Sequence, residues 1–206
     1  TAYGPSGPCV ALATTEDFLS VEKYGAVMPP QDKDASLLPR RVHGEFVLYH
    51  RPISTRVGTR PAVWVSRSRD LRHWKAPEPV LAGRQGPWWD AVRVGIGPAP
   101  LETEHGWLGV YHGVKQMPAG PIYRMGLVMF DLDEPARVIR RTPGWVMGPQ
   151  AAYEKQGDVP NVVFPTGMLH DAESGTLRLH YGAGDSVIAT ATARLSEVVG
   201  YLMQYG

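Results

Sequence analysis

Arg93 and His112 bracket one stretch of the chain, RVGIGPAPLETEHGWLGVYH. It reads as a strand end (Ala91 to Val94), a Gly/Pro loop (Gly95 to Pro100), a turn (His105-Gly106) and a second strand (Trp107 to Tyr111) closing on His112-Gly113. Arg51, Tyr123 and Asp185 join these two when the chain is aligned on itself, because each departs from its counterparts in the other copies. A guanidinium, an imidazole, a phenol and a carboxylate facing one space would grip a polar ligand through charge-assisted hydrogen bonds. Each also has a structural reading: a solvated Arg, a hydrogen-bonded His, an edge Tyr, a turn Asp. Their clustering at equivalent strand positions favours a site. Other chemistry finds little support. Pro98 and Pro100 follow Gly95-Ile96-Gly97, so no helix opens there to receive a pyrophosphate. Neither an HExxH or paired-Cys zinc pattern nor a GxSxG elbow occurs.

The elements that must position these residues form a repeat. A turn, alternating apolar residues and an aromatic end recur as His43 to Arg51, His105 to Gly113 and Ser174 to Gly182, and Thr1 to Gly4 matches the end of the same element. Each copy is followed by a second strand closing on Asp17-Phe18, Asp70-Leu71, Asp131-Leu132 or Arg194-Leu195. The copies lie roughly 45 to 70 residues apart, the size of a four-stranded propeller blade. In this alignment Tyr3, His50, His112 and Tyr181 share a position, and Arg51 stands where the other copies have Gly4, Gly113 and Gly182. Tyr123 is aligned with Cys9, Ala62 and Ser186, and Asp185 with Pro8, Pro61 and Ile122. The expected fold is an all-β propeller of about three and a half blades in residues 1–206, one domain with its first blade cut at Thr1. A two-sheet sandwich is the alternative. His43 and His105 read as turn residues, and Trp64, Trp74, Trp107 and Trp145 as blade core. Either ring of Trp88-Trp89 offers a stacking face for a sugar. Leu195 to Gln204 reads as a short terminal helix or a closing strand.

Composition agrees. The chain has 206 residues, 43% of them apolar, with 23 Gly and 19 Pro, a mixture suited to short strands and tight turns. A net charge of +1 gives no bulk field for nucleic acid or a membrane surface. No apolar run approaches the roughly 18 residues of a membrane span. A lone Cys9 fits a reducing compartment, and a cytoplasmic location is expected.

Several segments, in order, carry a resemblance. They are Lys33-Asp34-Ala35 with Leu38-Pro39, His50-Arg51-Pro52, Arg93 to Gly97, Gly106-Trp107 with Tyr111-His112-Gly113, Gly157 to Pro165, and Tyr181 to Asp185. Together they resemble glycoside hydrolase family 130. That family consists of five-bladed propellers, mostly inverting β-mannoside phosphorylases with some β-1,2-mannosidases.

The resemblance implies roles. Lys33, Arg51, Arg93, His112 and Tyr123 match positions that hold inorganic phosphate, the co-substrate; no other cofactor is implied. Asp185 matches a carboxylate that grips the mannosyl unit, and Asp34 lines the same pocket. Arg93 stands where Lys is more usual, and Lys33-Asp34 where some members have Arg-Asn. The catalytic Asp has no counterpart here and is expected upstream of Thr1. The expected activity is phosphorolysis of a short β-mannoside to α-mannose 1-phosphate, by a possible homo-oligomer. A β-1,2-mannosidase is the runner-up, which needs a carboxylate near the nucleophile site; Glu102 and Glu104 are the nearest in sequence. A non-catalytic glycan-binding propeller is the third reading.

Overall fold

The computed structural model describes residues 1–53 and 61–206. Two ribbons come first: β1 (Ala2–Gly4) with β2 (Gly7–Cys9), then β3 (Ala11–Thr14) with β4 (Glu22–Ala26). β5 (Asp32–Leu37), β6 (Phe46–Pro52), β7 (Ala62–Ser68) and β8 (Lys75–Ala82) follow as an antiparallel sheet in chain order. In the next sheet β9 (Arg93–Ile96) and β10 (Leu101–Thr103) both pair with β11 (Gly106–Met117), which pairs with β12 (Gly120–Phe130) and through it with β13 (Val138–Arg141). After the short α1 (Ala152–Lys155), β14 (Val163–Asp171), β15 (Thr176–Ala183) and β16 (Val187–Arg194) form a third antiparallel sheet. α2 (Leu195–Tyr205) ends the chain, so the terminal segment is a helix. No described helix is long and apolar enough to cross a membrane.

Alternation along β11 and β12 builds two cores from one sheet. Trp107 and Tyr111, with Val128 and Phe130, pack towards β6, β7 and β9. Leu108, Val110, Met125, Leu127 and Met129 face the other way, towards β14, β15 and α2. A sheet buried on both faces reads as a near-continuous apolar run, as Trp107 to Tyr111 does. Burying each large side chain contributes about 1.5–3 kcal/mol.

The repeated turns have a local cause. His43-Gly44 and Gly175 take positive φ. The repeated Asp closes a second turn: one carboxylate oxygen of Asp17 accepts the N–H groups of Leu19 and Ser20, that of Asp70 those of Arg72 and His73, and that of Asp131 those of Asp133 and Glu134. These donors stabilise the charged form and lower all three acids, Asp17 to about 2. The Asp of the repeat is therefore a turn device, which follows from side-chain competition for backbone donors.

Three expectations are corrected. The strand expected at Ala91 to Val94 is Arg93–Ile96, so Gly95 and Ile96 belong to a ladder and not to a loop. The strand expected to end at His112-Gly113 runs on to Met117, because its last residues pair with β12 as far as Gly120. Trp145 is not core: it is 44% exposed, beneath the Arg124 guanidinium.

Candidate functional site

The register gathers the basic residues. On β9 and β11, Gly95 pairs with His112 and Arg93 with Val114; on β11 and β12, Val114 pairs with Tyr123. Directly paired residues share a face. Arg93, His112 and Tyr123 therefore project from one side of this sheet. Arg93 donates to the Tyr123 hydroxyl, and the His112 ring lies 6.0 Å from the Tyr123 ring and 4.4 Å from Phe164 of β14.

The preceding sheet supplies the rest. Lys33 pairs with Arg51 across β5 and β6. Behind them His50, buried, sets Nδ1 2.6 Å from the Asp32 carboxylate and Nε2 2.9 Å from the Ser66 hydroxyl. Nδ1–H donating to the carboxylate leaves Nε2 to accept from Ser66. This chain ties β5, β6 and β7 together one residue away from Lys33 and Arg51. The ladder breaks after Lys33, and Asp34 takes a positive φ of 52°. Its carboxylate accepts from Arg51 Nε at 2.7 Å, lies 3.9 Å from Lys33 Nζ and lies 3.7 Å from His112 Nε2. Gly95 makes this junction possible. A Cβ there would sit 2.3 Å from His112 Cε1 and 2.5 Å from Asp34 Oδ2.

Lys33, Asp34, Arg51, Arg93, His112 and Tyr123 thus form one cluster from two adjacent sheets, with Phe164 of a third against it. Asp185 lies apart, in the exposed turn between β15 and β16 with φ 55°. Among the described residues no hydrogen bond or ion pair joins it to the cluster. Glu102 is held by both its oxygens to Arg40, at 2.6 and 2.7 Å, and Glu104 is exposed beside His105. Neither contacts the cluster. Of the tryptophan pair, Trp89 is buried and donates to the Pro143 carbonyl, while Trp88 is 42% exposed with Arg84 over its ring.

Besides Asp32, the buried carboxylates Asp90 and Glu154 escaped the sequence reading. Asp90 accepts from Arg141 at 2.8 Å and from the Tyr111 hydroxyl at 3.1 Å, with Arg84 at 3.3 Å. Glu154 accepts the N–H groups of Gln150 and Ala151 and the Tyr181 hydroxyl. The available signal was an acid set among apolar or aromatic neighbours, as in Trp89-Asp90-Ala91. Asp90 packs under Gly113, where a Cβ would come within 2.4 Å of it. It thereby supports the strand carrying His112.

Burial pushes the His112 imidazole down to about 4; the Asp34 carboxylate opposes this, and Arg51, Arg93 and Lys33 add to it. His112 is therefore neutral at pH 7, a hydrogen-bonding group and not a fourth cation. Its folded value lies below the unfolded value of about 6.5. Between the two, the unfolded state binds the extra proton, so stability rises with pH. His112 is expected to cost roughly 3 kcal/mol of stability as pH falls from about 6.5 to about 4. Urea unfolding of the parent and of His112→Gln across that range would test this; an equal pH slope in both would exclude His112 as the source.

Comparisons with known proteins identify the family. Residues 1–204 match a family model described as beta-1,4-mannooligosaccharide phosphorylase. The fold is shared with proteins of known structure. It aligns with the β-1,2-mannobiose phosphorylase from Listeria innocua, solved with β-1,2-mannobiose, at a TM-score of 0.86 and 34% identity, over 94% of this chain and 53% of that one. The chain belongs to glycoside hydrolase family 130. Among curated relatives, a 1,2-beta-oligomannan phosphorylase of Thermoanaerobacter sp. (strain X514) is 33% identical over 92% of this chain and 60% of its own length. A beta-1,4-mannooligosaccharide phosphorylase of Ruminococcus albus is 32% identical over 99% of this chain, again 60% of its own length. The chain therefore spans little more than half of the relatives it matches.

Proposed function

We propose that the full-length protein is an inverting β-mannoside phosphorylase and that the cluster around Arg51 is its phosphate site. The carrying observation is the convergence of Lys33, Arg51, Arg93, His112 and Tyr123 from two sheets. In phosphorolysis a phosphate oxygen attacks the anomeric carbon, the glycosidic bond breaks, and an acid gives its proton to the departing oxygen. Phosphate is already anionic, so no second carboxylate base is needed, only donors that hold it in line. Two guanidinium forks, an ammonium, a phenol and a neutral imidazole supply those donors. On this reading the acid lies in residues outside this sequence, and the complete fold is a five-bladed propeller. Asp185 then reaches the mannosyl unit by way of its exposed turn. The hydrolase reading needs an acid beside the cluster. Glu102 and Glu104 are engaged elsewhere or exposed, and Asp34, the acid within the cluster, is bonded to Arg51, which favours phosphate.

Full-length protein incubated with β-1,2- or β-1,4-mannobiose is expected to release mannose 1-phosphate only when phosphate is present. Phosphate-independent release of mannose would establish the mannosidase reading instead. Binding without turnover in either condition would leave a glycan-binding module.

A further inference from the structure

Asp34 is an unusual neighbour for an anion. Its carboxylate has the Arg51 guanidinium, the Lys33 ammonium and the His112 imidazole all within 4 Å, at 2.7, 3.9 and 3.7 Å. Groups that share one carboxylate can hold an anion beside it. Oδ2 takes the Arg51 hydrogen bond, while Oδ1 accepts none from the described residues. The Asp34 side chain is 4% exposed, so little water screens it.

Of the other members of the cluster, the three cations and the phenol do not discriminate between oxyanions. Lys33, Arg51 and Arg93 only donate, and the Tyr123 hydroxyl, which accepts from Arg93, keeps its own hydrogen to donate. Phosphate and sulfate have the same shape and can carry the same charge, so a ring of donors holds them alike. They differ in one respect. Near pH 7 phosphate still carries at least one proton, and sulfate carries none.

We propose that Asp34 is the residue that selects the oxyanion: it admits an anion bearing its own proton, phosphate or arsenate, and rejects fully ionised sulfate. The inference rests on the phosphate reading of the cluster and deepens it. A protonated anion donates its O–H to Oδ1, whereas sulfate sets a lone pair against a buried carboxylate. Sites built around one hydrogen bond reject analogues lacking it strongly, because a buried group is left unpaired. Arg51 offsets part of the Asp34 charge, so the discrimination is expected at about a hundredfold, below the full effect of such sites.

The test is anion binding to the full-length protein by calorimetry at pH 7, with phosphate, arsenate and sulfate in turn. In the parent, arsenate should bind within about tenfold of phosphate and sulfate about a hundredfold more weakly. In Asp34→Asn the amide can turn a donor towards the anion, and the gap should shrink below about tenfold, chiefly through tighter sulfate binding. Sulfate binding as well as phosphate in the parent would overturn the proposal, even if the variant failed to fold. An unchanged gap in folded Asp34→Asn would also overturn it. Arg51→Ala separates the two levels. If it loses phosphate while the Asp34 gap is unchanged, the phosphate site stands and the selector is wrong. If it leaves phosphate affinity intact, the phosphate site is wrong and the selector falls with it.

Discussion

Replacing Gly95 with alanine is expected to lower phosphate-dependent kcat/KM of the full-length protein by about a hundredfold or more. The added methyl would lie 2.3 Å from His112 Cε1 and 2.5 Å from Asp34 Oδ2. Neither can simply swing aside. The His112 ring is packed against Phe164, and Asp34 is bonded to Arg51. Moving either by about an ångström displaces cluster residues on both sheets, and misplacement on that scale suffices for such a loss. Overpacking a filled site also costs about 1–3 kcal/mol of stability. The φ of Gly95 is not positive, so the backbone accepts alanine without strain and the effect isolates the space itself. Steady-state kinetics with a thermal melt would measure both. Near-parental turnover would show that the junction of Asp34 with His112 has no part in the reaction.

Arg51→Ala is expected to cost ten- to several-hundred-fold in kcat/KM for phosphate, with mannoside binding less affected. A charge-assisted hydrogen bond is worth roughly 1.5–3 kcal/mol, and about 1.4 kcal/mol is tenfold. From the repeat alone, where glycine fills this position in the other copies, little effect on folding is expected. The structure reverses that expectation. Arg51 is buried and bonded to the Asp34 carboxylate, whose side chain is 4% exposed. Deleting it leaves a carboxylate that, among the described residues, has only Lys33 and His112 as basic neighbours, and breaking such a pair costs about 3 kcal/mol. Arg51→Lys separates the two effects: it keeps a cation for Asp34 but loses the planar fork. A phosphate titration beside urea unfolding is decisive. Arg51→Lys should recover most of the stability and little of the phosphate use. Full recovery of both would reduce Arg51 to a tie between β5 and β6.

Much of this was legible in the chain itself. Turn pairs such as His43-Gly44 and His105-Gly106, the apolar run Phe46 to Tyr49, and an Asp after three of the four second strands are local signals. They act through backbone conformation within a few residues, so a linear reading finds them. Comparing copies exposed Arg51 and Tyr123 as departures, and their types pointed to a polar ligand. The sequence could not say how residues meet across sheets. Asp34 read as a pocket-lining acid for a sugar, and only the structure places its carboxylate against Arg51, Lys33 and His112, where a broken ladder turns it and Gly95 leaves it room. Asp185 shared a repeat position with Ile122, beside Tyr123, yet a turn residue and a mid-strand residue occupy different places. Asp90 and Glu154 were only faintly marked, because a buried acid is recognised by its donors, and Arg141 and Tyr181 are distant in the chain. Sequence thus determined which residues turn, alternate and carry charge. Only the packing of one sheet on the next decided which charges touch, since that depends on register and on where a side chain is missing.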